Sequence, residues 1–284
     1  MRKADLHLHS DYSDGSDTVQ ELVKNIVTEG LSTFALTDHD TISGCVEIQK
    51  YLPQNVNFIS GCELTSICDT VKCHILGYYC DSFEETLTKL IEKGRKLRRA
   101  KLEKRIQFLK DVWNIELTKA ELDWLYSRNS VVKIHLGNIL VERGLAKDNI
   151  ETMKKYLDGC KTGKSRFDGD ESVAAIVASG GIPVWAHPLG GEGEIHLEKE
   201  EFFKRFEVMK SFGIRGLECY YSRYNEDEIE FLVDVAKQND LLISGGSDYH
   251  GANKTVKLAQ LNVDNEPICE ENLSIIKNSS ILLK

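Results

Sequence analysis

Short runs rich in Val, Ile, Leu and aromatic residues recur along the chain, and stretches of helical period separate them. The runs predict strands over 3–9, 33–37, 56–62, 72–79, 182–187, 215–221 and 241–246. Between them, TVQELVKNIVTEG, ESVAAIVASGG and EDEIEFLVDVAKQN repeat apolar residues at intervals of three and four. Each ends at Gly or Asn, as helices commonly do. This alternation predicts an α/β fold whose sheet closes, or nearly closes, into a barrel. An open doubly wound sheet is the other arrangement with the same rhythm.

The rhythm breaks between the fourth and fifth strands. Residues 84–167 hold no convincing strand. EETLTKLIEKGRKLRRAKLEKRIQFLKDVW reads as one long helix with Gly94 as a candidate bend, and shorter helices follow near 118–126, 135–143 and 149–158. The expected organisation is therefore a barrel domain from 1–83 and 168–284, with a helical insertion domain over 84–167 set across one end. A chain of 284 residues is long enough for both.

Charge follows the same division. The chain carries 36 basic and 45 acidic residues, a net −9, yet residues 86–167 hold 20 of the basic and only 10 of the acidic ones. A basic module in an acidic body points to an anionic ligand near the junction, and solvated helix faces would produce the same count. No apolar run reaches membrane length. The first charged motif begins at Asp5, too early for an apolar leader ahead of it in this sequence. The eight cysteines form no CxxC pair and read as reduced thiols, so the expected location is the cytoplasm.

The opening motif ADLHLHSDYSDG places His7 and His9 on one face of an extended segment, with Leu6 and Leu8 on the other. His7, His9, His39, His74, His187 and His250 all fall at or just after predicted strand ends, where α/β barrels build their sites. Asp14, Asp38, Asp40, Glu63 and Asp248 accompany them. Six imidazoles meeting several carboxylates call for divalent cations, and this donor mixture suits Mn, Fe or Zn. Strand alternation turns Cys62 and Cys73 away from the face carrying Glu63 and His74 and into the packing. His196 lies in a Gly-rich loop and reads as exposed. His135 opens a helix of the insertion beside Lys133, where it meets either an anion or solvent.

Together DLHLHSDYSDG, GLSTFALTDHDT, GCELTS, KCHILGYY, SGGIPVWAHP, GLECYYSRYNEDE and GGSDYHG resemble, in order, the PHP (polymerase and histidinol phosphatase) family of metal-dependent phosphoesterases. The resemblance implies a distorted (β/α)7 barrel holding two or three ions at its C-terminal end. The first ion would take His7, His9, Glu63 and Asp248; Glu63 would bridge to a second held by His74 and His187; a third would take Asp14, His39 and His250. Within the insertion, VVKIHLGNILVERG and KKYLDGCKTGKSRF resemble enzymes that remove phosphate from 3′,5′-bisphosphate nucleotides or trim the 5′ ends of short RNAs. Lys133 and His135 would contact phosphate, with Lys164, Arg166 and Arg223 as further contacts. Many such relatives have an Arg-Pro pair where this chain has Lys133-Ile134, a point charge in place of a bidentate fork.

The expected chemistry is hydrolysis of a phosphate ester by metal-bound hydroxide, with Asp248, His187 and Glu63 at its centre. The expected substrate is a small phosphate ester, a nucleotide or a short oligoribonucleotide. Neither duplex DNA nor a membrane is expected as partner. A histidinol-phosphate phosphatase, an amidohydrolase or a non-enzymatic metal-binding module are the competing classes, and the basic insertion favours a phosphate substrate over a neutral amide.

Overall fold

The computed structural model describes residues 2–69, 71–163 and 166–277. Its strands are β1 (Lys3–Asp5), β2 (Leu31–Leu36), β3 (Asn57–Cys68), β4 (Val71–Tyr78), β5 (Phe167–Asp168), β6 (Ile182–Trp185), β7 (Gly216–Tyr221) and β8 (Leu242–Gly246). Seven lie side by side in the order β1-β2-β3-β4-β6-β7-β8, while the short β5 pairs with the far end of β3. The segments following β1 and β8 bring the two edges together. Leu6 N donates to Gly245 O at 3.1 Å, Asp248 N to His7 O at 2.9 Å and His9 N to Tyr249 O at 3.0 Å. The result is a nearly closed barrel. Closure depends on Gly246, because a Cβ there would lie 2.3 Å from His7 N.

Ten α-helices accompany these strands among the described residues: α1 (Val19–Glu29), α2 (Ser43–Ile48), α3 (Glu85–Trp113), α4 (Lys119–Ser127), α5 (Lys133–Glu142), α6 (Asn149–Thr152), α7 (Gly169–Ala178), α8 (Lys199–Phe212), α9 (Glu226–Gln238) and α10 (Ser274–Lys277). Local chemistry sets their ends. Thr18 with Glu21, Thr118 with Glu121 and Asn225 with Glu228 form reciprocal caps at the starts of α1, α4 and α9. The charged run that becomes α8 hides its amphipathic stripe from a reading of composition. Phe202, Phe206 and Met209 enter the core at helical spacing, and Gly213 ends the helix.

Two departures from the predicted rhythm matter for the site. β1 stops at Asp5, because the backbone beyond it bonds to the segment after β8 and to Thr37, whose N–H donates to Leu8 O at 2.9 Å. More important, no helix separates β3 from β4. β3 continues to Cys68 and forms an antiparallel pair with β4, which also runs antiparallel to β6. His74 therefore lies in the first half of its strand, not at its end, and reaches the barrel mouth because β4 is reversed.

The insertion has its own apolar cluster, including Leu102, Leu109, Leu125, Leu136, Leu140 and Leu157. α3 joins both cores: Leu87 and Leu90 pack with the barrel, Leu102 and Leu109 with the insertion. The helix runs unbroken through Gly94. That glycine serves a close approach, since a Cβ there would lie 2.4 Å from Phe167 Cζ. No helix is long and apolar enough to cross a membrane among the described residues.

Candidate metal and phosphate site

The register of the β3–β4 pair sets Glu63 opposite Leu76 and His74 opposite Thr65, so Glu63 and His74 are diagonal neighbours on one face. Cys62 and Cys73 occupy the other face, and burial pushes the Cys73 thiol up to about 12. Glu63 then becomes the hub of the barrel mouth. Its Oε1 lies 2.8 Å from His74 Nδ1 and 3.3 Å from His187 Nε2. Its Oε2 lies 3.2 Å from both His7 Nε2 and His9 Nε2 and 3.1 Å from His39 Nδ1. Asp248 Oδ1 approaches His9 Nε2 at 3.3 Å and His250 Nδ1 at 3.4 Å. Asp14 Oδ1 is 3.2 Å from His250 Nε2. The structure thus brings together all nine side chains expected to meet here.

Three of the non-glycine residues with positive φ, His187 (φ 29°), Asp248 (φ 60°) and Asp40 (φ 50°), lie at this mouth.

The outward nitrogens fix the tautomers. His7 Nδ1 meets Glu218 Oε1 at 2.8 Å, His187 Nδ1 meets Glu194 Oε2 at 3.4 Å and His250 Nδ1 meets Asp248 O at 2.8 Å. Each contact leaves Nε2 free to act as a ligand, the arrangement usual behind metal-binding imidazoles. His7 Nε2, His9 Nε2, His39 Nδ1, His250 Nε2, Asp14 Oδ1 and Glu63 Oε2 are buried without hydrogen-bond partners among the described residues. They crowd one another at 3.1–3.2 Å without hydrogen-bond geometry, and a buried polar atom left so costs about 1–3 kcal/mol, which makes a shared cation the partner that fits. Divalent ions meet that need. The donors fall into overlapping groups: His7, His9, Glu63 and Asp248; His9, Asp14, His39 and His250; His39, Glu63 and His74; and His74, His187 and Glu194.

The electrostatics agree with a cation site. Burial works against ionisation of Glu63, but the surrounding His39, His74 and His7 outweigh it and hold the carboxyl well below the usual range. For His9 and His187 burial opposes protonation. The facing carboxylates prevail, Asp248 and Glu63 for His9, Glu194 and Glu63 for His187, and raise each to about 9. The carboxylates thus draw positive charge into the mouth, and bound ions would take the place of those protons.

Beside this centre a cavity of about 310 Å³ opens under the insertion. Asp14, His39 and His74 form its inner wall, and Lys72, Arg98, Lys101, Arg105, Lys133 and Arg166 its basic walls.

The family model described as the PHP domain matches residues 5–162. The chain belongs to the PHP family. A 5′-3′ exoribonuclease of Haemophilus influenzae is 30% identical over 262 residues, covering 88% of this PHP chain and 90% of that protein. A 3′,5′-nucleoside bisphosphate phosphatase of Chromobacterium violaceum is 25% identical, covering 95% and 94%. A Bifidobacterium adolescentis crystal structure, described as that of a candidate metal-dependent phosphoesterase, shares the fold with a TM-score of 0.80 at 24% identity, covering 93% and 94%. This PHP chain is an enzyme of the phosphoesterase class.

The expected phosphate contacts separate among the described residues. Lys133 and Arg166 line the basic cavity, where Lys133 also pairs with Asp158 at 2.5 Å. His135 does not line it. Its side chain is buried, its Nδ1 accepts the Val132 N–H at 3.1 Å, and burial depresses its pKa to about 4. Arg223 pairs with Glu192 at 2.5 Å and is absent from the cavity wall. Lys164 lies outside the described residues. His196 remains exposed, paired with Glu228 at 2.8 Å. Asp38 turns from the candidate ligands to accept from Ser10 N at 2.8 Å and Ser13 Oγ at 2.6 Å. Asp40 binds Arg98 instead.

Other contributors to the site carry no distinctive signal in the sequence: Glu218, Glu194, Tyr221, Lys72, Lys254 and the basic stripe Arg98, Lys101 and Arg105. The stripe repeats at intervals of three and four along α3, a signal shared with any solvated helix face.

Proposed function

We propose that this enzyme removes phosphate from nucleotides, of the 3′,5′-bisphosphate or 5′-monophosphate type, or from the 5′ ends of short RNA, using two or three ions of Mn, Fe or Zn. The reading is carried by the adjacency of six unpaired buried ligand atoms to a cavity walled by lysine and arginine. His7, His9, Glu63 and Asp248 would hold one ion and Asp14, His39 and His250 another; Glu63, whose Oε1 faces both His74 and His187, would hold a further ion with them. Bound ions supply an acidified water and neutralise the phosphoryl oxygens, the two needs of phosphate-ester hydrolysis.

The chain's own residues divide the remaining tasks. Glu63 keeps the ligand groups in register by turning one oxygen to His74 and His187 and the other to His7, His9 and His39. Tyr221 OH donates to Asp248 Oδ2 at 2.9 Å, which leaves Oδ1 aimed into the mouth to orient the attacking water. His187 presents Nε2 inward while Glu194 engages Nδ1. Lys133, Arg166, Lys101 and Arg105 hold the anionic substrate and exclude bulk water. The eight free thiols suit the reducing cytoplasm.

Phosphate release from a nucleoside 3′,5′-bisphosphate, a nucleoside 5′-monophosphate, a 5′-phosphorylated short RNA and histidinol phosphate tests the reading, with and without prior chelation and Mn readdition. Turnover on the nucleotide or RNA substrates that vanishes on chelation and returns with Mn is expected. Preference for histidinol phosphate, or activity that survives thorough chelation, overturns it.

A further inference from the structure

We propose that Lys254 is a substrate-binding residue whose ammonium grips a non-bridging oxygen of the phosphoryl group; the assignment rests on the phosphohydrolase reading above. Lys254 Nζ lies 2.7 Å from Asp248 Oδ2 and lines the same small cavity, about 110 Å³, as His39, Glu63, His74 and His250. Long lysine side chains ordinarily carry their charge out to solvent. This one is directed into the ligand set.

Asp248 has other partners besides it. Tyr221 already donates to Oδ2 at 2.9 Å, and Oδ1 faces His9 at 3.3 Å and His250 at 3.4 Å. The lysine, for its part, is underused. An ammonium has three donors, and Asp248 is the one hydrogen-bond acceptor it meets among the described residues. Its placement is also built. Gly251 (φ 62°) sits so tightly on the Asp14 loop that a Cβ would lie 2.0 Å from Ser16 Oγ. Ala252 N donates to that hydroxyl at 2.7 Å, and Asn253 Nδ2 donates to Asp14 O at 2.8 Å. The segment delivering Lys254 is thus pinned to a loop that carries a ligand.

Once cations occupy the mouth, a fixed ammonium beside them is repelled by their charge. An anion completing the site removes that repulsion, and phosphate accepts lysine as a point charge. The spare donors of Lys254 and the ion-binding groups then converge on one phosphoryl group.

The test uses the Mn-loaded full chain and its Lys254→Met and Lys254→Arg variants. Inorganic phosphate affinity is measured by calorimetry, bound Mn by elemental analysis and integrity by melting temperature. Lys254→Met is expected to keep its Mn and its melting temperature while binding phosphate about tenfold more weakly, the scale of one lost charge-assisted hydrogen bond. Lys254→Arg is expected to recover most of that affinity. Unchanged phosphate affinity in Lys254→Met overturns the assignment. So does a loss of Mn or of fold in Lys254→Met that Lys254→Arg repairs without weaker phosphate binding in the metal-replete protein, because the lysine then only holds Asp248. A wild-type enzyme that binds phosphate yet releases none from any ester overturns the phosphohydrolase reading, while the phosphate titration still reads Lys254.

Discussion

Glu218 Oε1 lies 2.8 Å from His7 Nδ1, with both side chains fully buried inside the barrel. The other carboxylate oxygen accepts the backbone N–H of His187 at 2.7 Å. One side chain on β7 therefore sets the tautomer of a candidate ligand after β1 and the backbone of another after β6. Glu218→Gln preserves the shape and removes the charge that holds His7 in its ligand form. Metal affinity is expected to fall about 10- to 100-fold, the usual effect of losing a partner behind a ligand. Competition with a calibrated chelator measures it, and wild-type affinity in the variant would reduce Glu218 to a packing role.

The contrast between His7 and Glu218 shows what the sequence made legible. His7 and His9 announce themselves by spacing, because two imidazoles two residues apart in an extended segment must share a face. His39 and His250 were placed by strand ends. Glu218 lies within GLECYY, but a single carboxylate in an apolar strand gives no clue to its partner until the barrel closes. His74 reached the right place by a different route from the expected one, since the reversal of β4 depends on long-range pairing and not on local pattern. The barrel and the candidate ligand set are thus written in periodicity and spacing, while the groups that orient those side chains come from contacts between distant segments.

Arg98 and Asp40 join the insertion to the loop that carries His39. Arg98 Nε donates to Asp40 Oδ2 at 2.7 Å, and Asp40 Oδ1 accepts the Thr65 N–H at 2.7 Å. The Asp40 side chain is only 2% exposed, so removing its cationic partner strands a buried charge. Arg98→Ala is expected to destabilise the protein by about 3–5 kcal/mol. Pairing it with Asp40→Asn is expected to recover much of that loss, because the unpaired charge goes with it. Urea denaturation of the two single variants and the double variant measures the coupling; strictly additive losses would contradict it.

Gly94 reverses the usual effect of alanine in a helix. In an exposed helix interior, Gly→Ala stabilises by about 1 kcal/mol. Here the added Cβ would stand 2.4 Å from Phe167 Cζ, and Phe167 is fully enclosed in the barrel core. Either α3 must lift from β5 or the ring must move within a close-packed interior. Gly94→Ala is expected to cost about 1–3 kcal/mol by overpacking. A melting temperature at or above the wild-type value would show that the seam relaxes freely.

Lys101 gives the basic cavity a pH signature. Burial, followed by the neighbouring Arg105, Arg166 and Arg98, pushes its pKa down to about 8. Below that pH the ammonium is charged and attracts an anionic substrate; above it the amine is neutral and the attraction weakens. The expected result is a kcat/KM for a nucleotide substrate that falls as pH rises through about 8, through KM more than kcat. Lys101→Arg separates this group from others that titrate in the same range, since a guanidinium keeps its charge throughout. The variant is expected to hold its kcat/KM through the window where the wild type declines. If its profile falls in parallel with the wild type, the alkaline limb belongs to another group and Lys101 does not set substrate affinity.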